Sequence, residues 1–150
     1  MRPVVRHQCG ERTLAAAREA YREHDVDVEL VPFIADMAES YAWADLVVCR
    51  AGALTIAELC AVGVPALFVP YPAAVDDHQT ANARPMADAG AGLIIPEREL
   101  TPDVLARLLR EWLQSRSELQ QRAAKARSLA NPDALSRITE ICLEQAGGFA

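Results

Sequence analysis

The sequence lacks the cysteine and histidine patterns that build metal and redox sites. Its four cysteines, at positions 9, 49, 60 and 142, include no CxxC pair, and its three histidines are far apart. Structural zinc sites and thiol redox centres use closely spaced cysteines or histidines. We therefore predict no metal and no cofactor, and we expect Cys49 and Cys60, which stand among apolar residues, to be buried, reduced thiols.

Two further features are missing, a clustered basic face and a long apolar run. The chain carries 15 Lys and Arg against 21 Asp and Glu, a formal net charge of −6. Nucleic acid is not an expected partner, because binding a polyanion normally needs clustered positive charge. No apolar run reaches the roughly 20 residues that span a bilayer, and the N-terminus lacks a signal-peptide pattern. We expect a soluble, cytoplasmic chain, and 150 residues at 51% hydrophobic content fit one domain with a sizeable core.

What the sequence does contain is an alternation of apolar, β-branched runs with amphipathic stretches. Helices are predicted for 11–24, for a short stretch after Asp36, and for 54–62 and 78–89, with a Pro- and Ala-rich loop at 71–77. The predicted strands are 3–8, 26–33, 46–49, 64–70 and 92–96. Strands and helices joined by short connections require parallel pairing through right-handed crossovers. The predicted fold class is therefore α/β, a doubly wound parallel sheet.

Beyond Thr101 the pattern is helical only. Thr101 is a typical N-cap and Pro102 suits the first helical position. A charged helix is predicted over 117–129, and a third helix from Asn131-Pro132 to about residue 144. The apolar residues of this last helix, which we expect to face inward, are Leu135, Ile138, Ile141 and Cys142.

The stretch from Val47 to Glu58 has the pattern strand, tight turn, helix. A helix that begins near Ala53 directs unpaired N–H groups and the positive end of its dipole towards the carboxyl edge of the sheet, where phosphates bind. Thr55 adds a hydroxyl in the first turn. Glu58 lies about one turn further on, where its carboxylate can accept hydrogen bonds from the two hydroxyls of a ribose. The residues themselves thus suggest a nucleotide site.

A purely structural interpretation of this stretch is also open. Any α/β protein contains strand–Gly–helix junctions, and the helix dipole alone favours Glu near a helix start. Phe33 and Ile34, at the end of the second predicted strand, could be core residues, and His78 could be a solvated side chain. Ligands of a doubly wound sheet collect at the carboxyl ends of its strands, which is where these residues are predicted to lie.

Four motifs carry a resemblance to a known family. They are FIADM at 33–37, YAWADLVVCRAGALTIAE at 41–58, GVPA at 63–66 and DDHQTANA at 76–83. Together they resemble the MurG transferases, bacterial enzymes of the GT-B architecture that complete the peptidoglycan precursor lipid II. The resemblance covers nearly the whole chain and concerns the C-terminal, donor-binding half of that family. Its most specific part runs from Asp45 to Glu58.

The resemblance implies a role for each matching residue. The Ile34 backbone would read the uracil edge and Phe33 would cover the ring, while Glu58 would bind the ribose hydroxyls. Gln79 would contact the hydroxyls of N-acetylglucosamine, with His78 and Asn82 nearby. The helix start that would hold the diphosphate comprises Ala53, Leu54 and Thr55, and the predicted substrate-binding segment continues through Ile56 and Ala57 to Glu58.

The sequence departs from the family pattern because two parts of that pattern are absent from it. The Gly-rich phosphate loop and the acceptor domain, which supplies the family's general base, are missing, so no catalytic residue is predicted here. The resemblance implies a UDP-N-acetylglucosamine donor domain over 1–150, truncated at its N-terminal edge. It also implies a lipid I acceptor that binds the missing domain. The full-length protein would lie on the inner face of the cell membrane as a peripheral protein.

The isolated chain is expected to bind UDP or UDP-N-acetylglucosamine weakly and to transfer nothing. An exposed sheet edge makes a dimer plausible. Two alternatives stay open: a subunit that needs a separate acceptor-domain partner, and a regulatory nucleotide-sugar-binding module without catalysis.

Overall fold

A computed structural model describes residues 3–24, 28–73 and 75–147 of the chain. It divides into two compact units, Met1–Ser40 and Tyr41–Ala150. None of the described helices is both long enough and apolar enough to cross a membrane.

The first unit is built on a pair of parallel strands. β1 (Arg6–Gln8) pairs in register with β2 (Glu29–Val31), and α1 (Leu14–Glu23) follows a 3-10 turn at Glu11–Thr13. Of the predicted second strand, residues 26 and 27 lie outside the described residues. α2 (Met37–Trp43) starts where Asp36 Oδ1 accepts a hydrogen bond from the Glu39 N–H at 2.8 Å. The predicted cap at Asp36 is confirmed.

The second unit contains a three-stranded parallel sheet in the order β3-β4-β5. The middle strand is buried along its whole length, since Ala66, Leu67 and Phe68 are each 0% exposed. A strand buried on both faces is typical of a parallel sheet that is covered on both sides. The strands and their helices are β3 (Val47–Cys49), α3 (Ala53–Val62), β4 (Ala66–Phe68), α4 (His78–Asp88) and β5 (Gly92–Ile94).

Turn residues end the elements where the sequence predicted. Gly63 follows α3 with φ 82°, the left-handed conformation that terminates a helix. The predicted loop after β4 includes a 3-10 turn at Val75–Asp77, in which Asp76 and Asp77 have positive φ values of 53° and 52°. Thr101 Oγ1 accepts the Val104 N–H at 3.2 Å and so caps α5 (Pro102–Leu113), as predicted.

The main core lies between the sheet and the helices that follow it. α5 is followed by α6 (Arg116–Ser128), whose cap Ser115 was not predicted; the predicted start at residue 117 was one residue late. The core brings together buried residues from β4, the segment after β5, α5 and α6. They are Leu67, Ile95, Leu108, Trp112 and Leu119.

The predicted inward face of the last helix is wrong. α7 (Ala134–Gly147) forms, but Leu135, Ile138 and Ile141 are 77%, 59% and 57% exposed, and Cys142 is exposed as well. Apolar spacing shows that a helix has an apolar stripe. It does not show which part of the protein, if any, packs on that stripe.

The predicted α/β class with parallel strands is confirmed. The strands form a two-stranded sheet in the first unit and a three-stranded sheet in the second. Each strand is three residues long. The other described residues of the predicted strands lie outside these strands. The assignment of 1–150 to a single donor-binding domain stays a prediction.

Candidate functional site

The amino end of α3 is open. Its N-cap residue, Gly52, provides no side-chain cap, and the first intrahelical bond is from the Ile56 N–H to the Gly52 carbonyl at 3.0 Å. The Leu54 side chain is 79% exposed, so it does not cover the helix end. The N–H groups of the first turn therefore face outward at the carboxyl end of β3, where they can bind an anion such as a diphosphate.

Glu58 lies one turn further along α3, where it was predicted. Glu58 is exposed, and its Oε2 atom accepts a hydrogen bond from the Tyr41 hydroxyl at 3.1 Å. The Tyr41 side chain is only 7% exposed. Burial, and then the hydrogen bond to Glu58, raise the pKa of Tyr41 above its ordinary value. The phenol is thus a fixed donor to the carboxylate.

Gln79, predicted to contact the sugar, and Asn82, predicted to lie nearby, hold the turn before α3. Gln79 Oε1 accepts the Ala51 N–H at 3.2 Å and the Tyr71 N–H at 2.9 Å. Asn82 Nδ2 donates to the Ala51 carbonyl at 3.1 Å. Gln79 thus has a structural role, which the sequence did not suggest. Its contact with the sugar, with Asn82 nearby, stays a prediction.

Arg50 joins the ends of two strands to the segment after β5. Its guanidinium donates to the carbonyls of Val69 at 3.1 Å and Pro70 at 3.2 Å, and it pairs with Glu97 at 2.5 Å. The same group lies 5.5 Å from the centre of the Tyr71 ring. Arg50 thus supports the carboxyl edge of the sheet beside the turn that leads into α3.

The two residues predicted to bind uracil lie in the first unit. Phe33 is 73% exposed, which excludes the alternative that it is a core residue. The Ile34 N–H, predicted to read the base edge, donates to Gln8 Oε1 at 2.9 Å, so that a side chain of the protein already uses this donor. Their roles as ligands stay predictions.

The second unit brings most of the predicted residues together on the segment 53–58 and on the start of α4. Thr55 and Ile56 are half-buried, whereas Ala53 and Ala57 are exposed. His78, the first residue of α4, is also exposed. Among the described residues there is no group of three or more His, Cys, Asp or Glu side chains that could hold a metal ion.

Sequence reasoning missed Tyr41 and Arg50. A signal for Tyr41 was available, because a tyrosine on the apolar face of a short helix needs a partner for its hydroxyl. For Arg50, the signal was a charged residue directly after a buried strand.

Comparisons with known proteins show the family to which the chain belongs. Residues 3–138 match the family described as the glycosyltransferase family 28 C-terminal domain. Two curated relatives are each named UDP-N-acetylglucosamine–N-acetylmuramyl-(pentapeptide) pyrophosphoryl-undecaprenol N-acetylglucosamine transferase. The one from Marinobacter nauticus is 55% identical over 98% of this chain and 40% of its own length. The one from Alkalilimnicola ehrlichii is 58% identical over 97% and 41%, respectively.

A solved structure is similar as well. The crystal structure of Acinetobacter baumannii MurG superposes with a TM-score of 0.87 at 42% identity, covering 96% of this chain and 45% of that one. The chain thus spans about two fifths of the length of the two curated relatives.

Proposed function

Since this chain belongs to the glycosyltransferase family 28 C-terminal domains, we propose that it binds UDP-N-acetylglucosamine as the donor half of an inverting transferase. In the complete protein, N-acetylglucosamine would pass to lipid I to give lipid II. The observation that carries the proposal is the open amino end of α3 with the Glu58 carboxylate one turn beyond it. The names of the relatives supply the sugar and the acceptor.

Each part of the donor has a matching group in this chain. The first-turn N–H groups of α3 would bind the diphosphate, and Glu58 would accept the ribose hydroxyls. Gln79 and Asn82 would hold the α3 turn and would contact the sugar with His78. Phe33 and Ile34 would contact the uracil.

The reaction would be a single displacement. The acceptor hydroxyl attacks the anomeric carbon, the bond from that carbon to the phosphate oxygen breaks, and UDP leaves with the bonding electrons. The amino end of α3 stabilises the negative charge that develops on the leaving diphosphate. The base that removes the hydroxyl proton would come from the acceptor domain, so this chain supplies binding and leaving-group stabilisation.

Calorimetric titration with UDP tests the donor site. We expect the chain to bind UDP and Glu58→Ala to weaken binding by about 10- to 100-fold, because hydrogen bonds to a charged group contribute about 1.5–3 kcal/mol. Glu111→Ala is the matched control, since Glu111 is an exposed acid on α5 that pairs with Arg107. Equal affinities for the wild type and Glu58→Ala would refute the site.

The remaining partners follow from the same proposal. The acceptor would be lipid I, bound by a domain that this chain does not contain, and the complete protein would associate peripherally with the inner face of the membrane. β3 is an edge strand in which Val48 is 45% exposed. Such an edge can pair with a second copy, and sedimentation at increasing concentration tests for this dimer.

A second candidate is a subunit that needs a separate acceptor-domain chain. We expect no turnover of a lipid I analogue by the chain alone, and turnover after mixing with an acceptor-domain chain. A regulatory module would stay inactive in both assays, and it would not need to distinguish UDP-N-acetylglucosamine from UDP-glucose.

A further inference from the structure

The Glu58 carboxylate accepts a hydrogen bond from a side chain on another helix. Tyr41 is on α2 and Glu58 is on α3, 17 residues apart in sequence, and the two are joined by a hydrogen bond of 3.1 Å. The Tyr41 hydroxyl donates to Oε2. Because a carboxylate has about four acceptor positions, this hydrogen bond leaves positions at which Glu58 can accept the hydroxyls of a ligand.

We infer that Tyr41 is a positioning residue for nucleotide recognition: its hydroxyl fixes the Glu58 carboxylate in the orientation that accepts the ribose hydroxyls. This inference rests on the proposed donor function.

Three observations support a role for Tyr41 in binding. The Tyr41 side chain is 7% exposed, so its hydroxyl is held by packing, whereas Glu58 is exposed and would otherwise sample several rotamers. A long acidic side chain loses conformational entropy when a ligand orders it, and a partner that orders it beforehand removes that cost from binding. In addition, a phenol hydroxyl donates to a carboxylate oxygen without using the acceptor positions that the hydroxyls of a diol require.

The alternative is that the hydrogen bond only joins α2 to α3. The two roles differ in their dependence on the ligand. If Tyr41 acts through Glu58, its removal weakens only ligands that Glu58 contacts. If it only stabilises the helix pair, its removal weakens all ligands of the α3 turn to a similar extent.

Titration of the 150-residue chain with UDP and with 2′,3′-dideoxy-UDP separates these roles. We expect Tyr41→Phe, which keeps the buried ring, to weaken UDP binding about tenfold. The affinity for the dideoxy nucleotide should stay unchanged. In the Glu58→Ala background, Tyr41→Phe should have no further effect on UDP binding, as a double-mutant cycle requires for two coupled groups.

Tyr21→Phe is the matched control. It also removes a phenol hydroxyl that makes a side-chain hydrogen bond, in this case to His7 Nδ1 at 3.1 Å in the first unit. It should leave both affinities unchanged.

Three results would overturn the inference. They are unchanged UDP binding in Tyr41→Phe, an equal loss for both nucleotides, and an undiminished effect in the Glu58→Ala background. A wild-type chain that binds neither nucleotide would refute the proposed function itself. A wild-type chain that binds both nucleotides equally would show that neither Glu58 nor Tyr41 takes part in ribose recognition.

Discussion

At the scale of single residues, the side chains around the α3 turn are held by partners far away in sequence. Ala51 is bound through its N–H by Gln79 and through its carbonyl by Asn82, 28 and 31 residues further on. The sequence indicated that the side chains of Gln79 and Asn82 make polar contacts. Their partners could not be predicted, because such pairings depend on how β3, β4 and α4 pack, and local patterns carry no information about that packing.

Cys49 illustrates a residue whose environment was predicted only in part. It was expected to be a buried, reduced thiol; it is a free thiol but only partly buried, whereas Cys60 is buried as predicted. Partial burial raises the pKa of Cys49 from 9.0 to about 12. The folded protein therefore favours the neutral thiol, whereas the unfolded chain ionises it near pH 9. This contribution to stability is fully present below about pH 9 and is lost as the pH rises towards about 12.

We predict that the free energy of unfolding falls more steeply with pH in the wild type than in Cys49→Ala. Between about pH 9 and 10 the difference should approach 1 kcal/mol, since one pKa unit corresponds to about 1.4 kcal/mol. Urea unfolding at a series of pH values measures both slopes. Equal pH dependence of the free energy of unfolding in the wild type and in Cys49→Ala would show that the folded protein does not favour the neutral thiol at position 49.

At the scale of elements, the sequence correctly predicted those helix ends that a capping or terminating residue marks. Asp36, Gly63 and Thr101 end or start helices as expected, because each acts on backbone groups within a few residues. The face of α7 was predicted wrongly, since burial of a stripe depends on a partner surface. Strand lengths were overestimated for a similar reason, because the ladder ends where the neighbouring strand ends.

Close packing between β4 and β5 gives a test at this scale. A Cβ atom on Gly92 would lie 2.6 Å from Phe68 Cε2, and Phe68 is fully buried. We predict that Gly92→Ala lowers the free energy of unfolding by about 1–3 kcal/mol, the usual cost of overpacking a core.

Gly52→Ala is the control for this substitution. A Cβ atom there would meet only Thr55 Oγ1 at 3.5 Å, an ordinary contact, and the backbone at φ −66° suits any residue. In the same urea titration Gly52→Ala should lose less stability than Gly92→Ala, because its cost is limited to that of Ala as a poorer N-cap than Gly. A Gly92→Ala variant as stable as Gly52→Ala would mean that β4 and β5 can separate without cost.

At the scale of the whole molecule, burial is distributed unevenly between the two units. All the buried hydrophobic residues of the described chain lie between Tyr41 and Ala126, and the buried residue of the first unit is the polar Ser40. Burial of apolar surface is the main stabilising contribution in a small domain. The first unit therefore has little buried apolar surface to stabilise it against local opening.

We predict that backbone amides of β1 and β2 exchange with solvent faster than those of β4. Few buried apolar contacts and exposed backbone hydrogen bonds lower the free energy of local opening. Hydrogen exchange followed by mass spectrometry compares the two regions in one sample. Equal protection of β2 and β4 would show that the two units open together.

The double contact of Gln79 has a consequence for engineering. One carbonyl oxygen ties the backbone after β3 to the backbone after β4, so a new side chain at position 79 would shift two loops at once. Libraries that test the proposed sugar contacts should therefore keep this glutamine and vary its neighbours His78 and Thr80. We expect most substitutions at position 79 to displace both loops, whichever ligand the library is designed to bind.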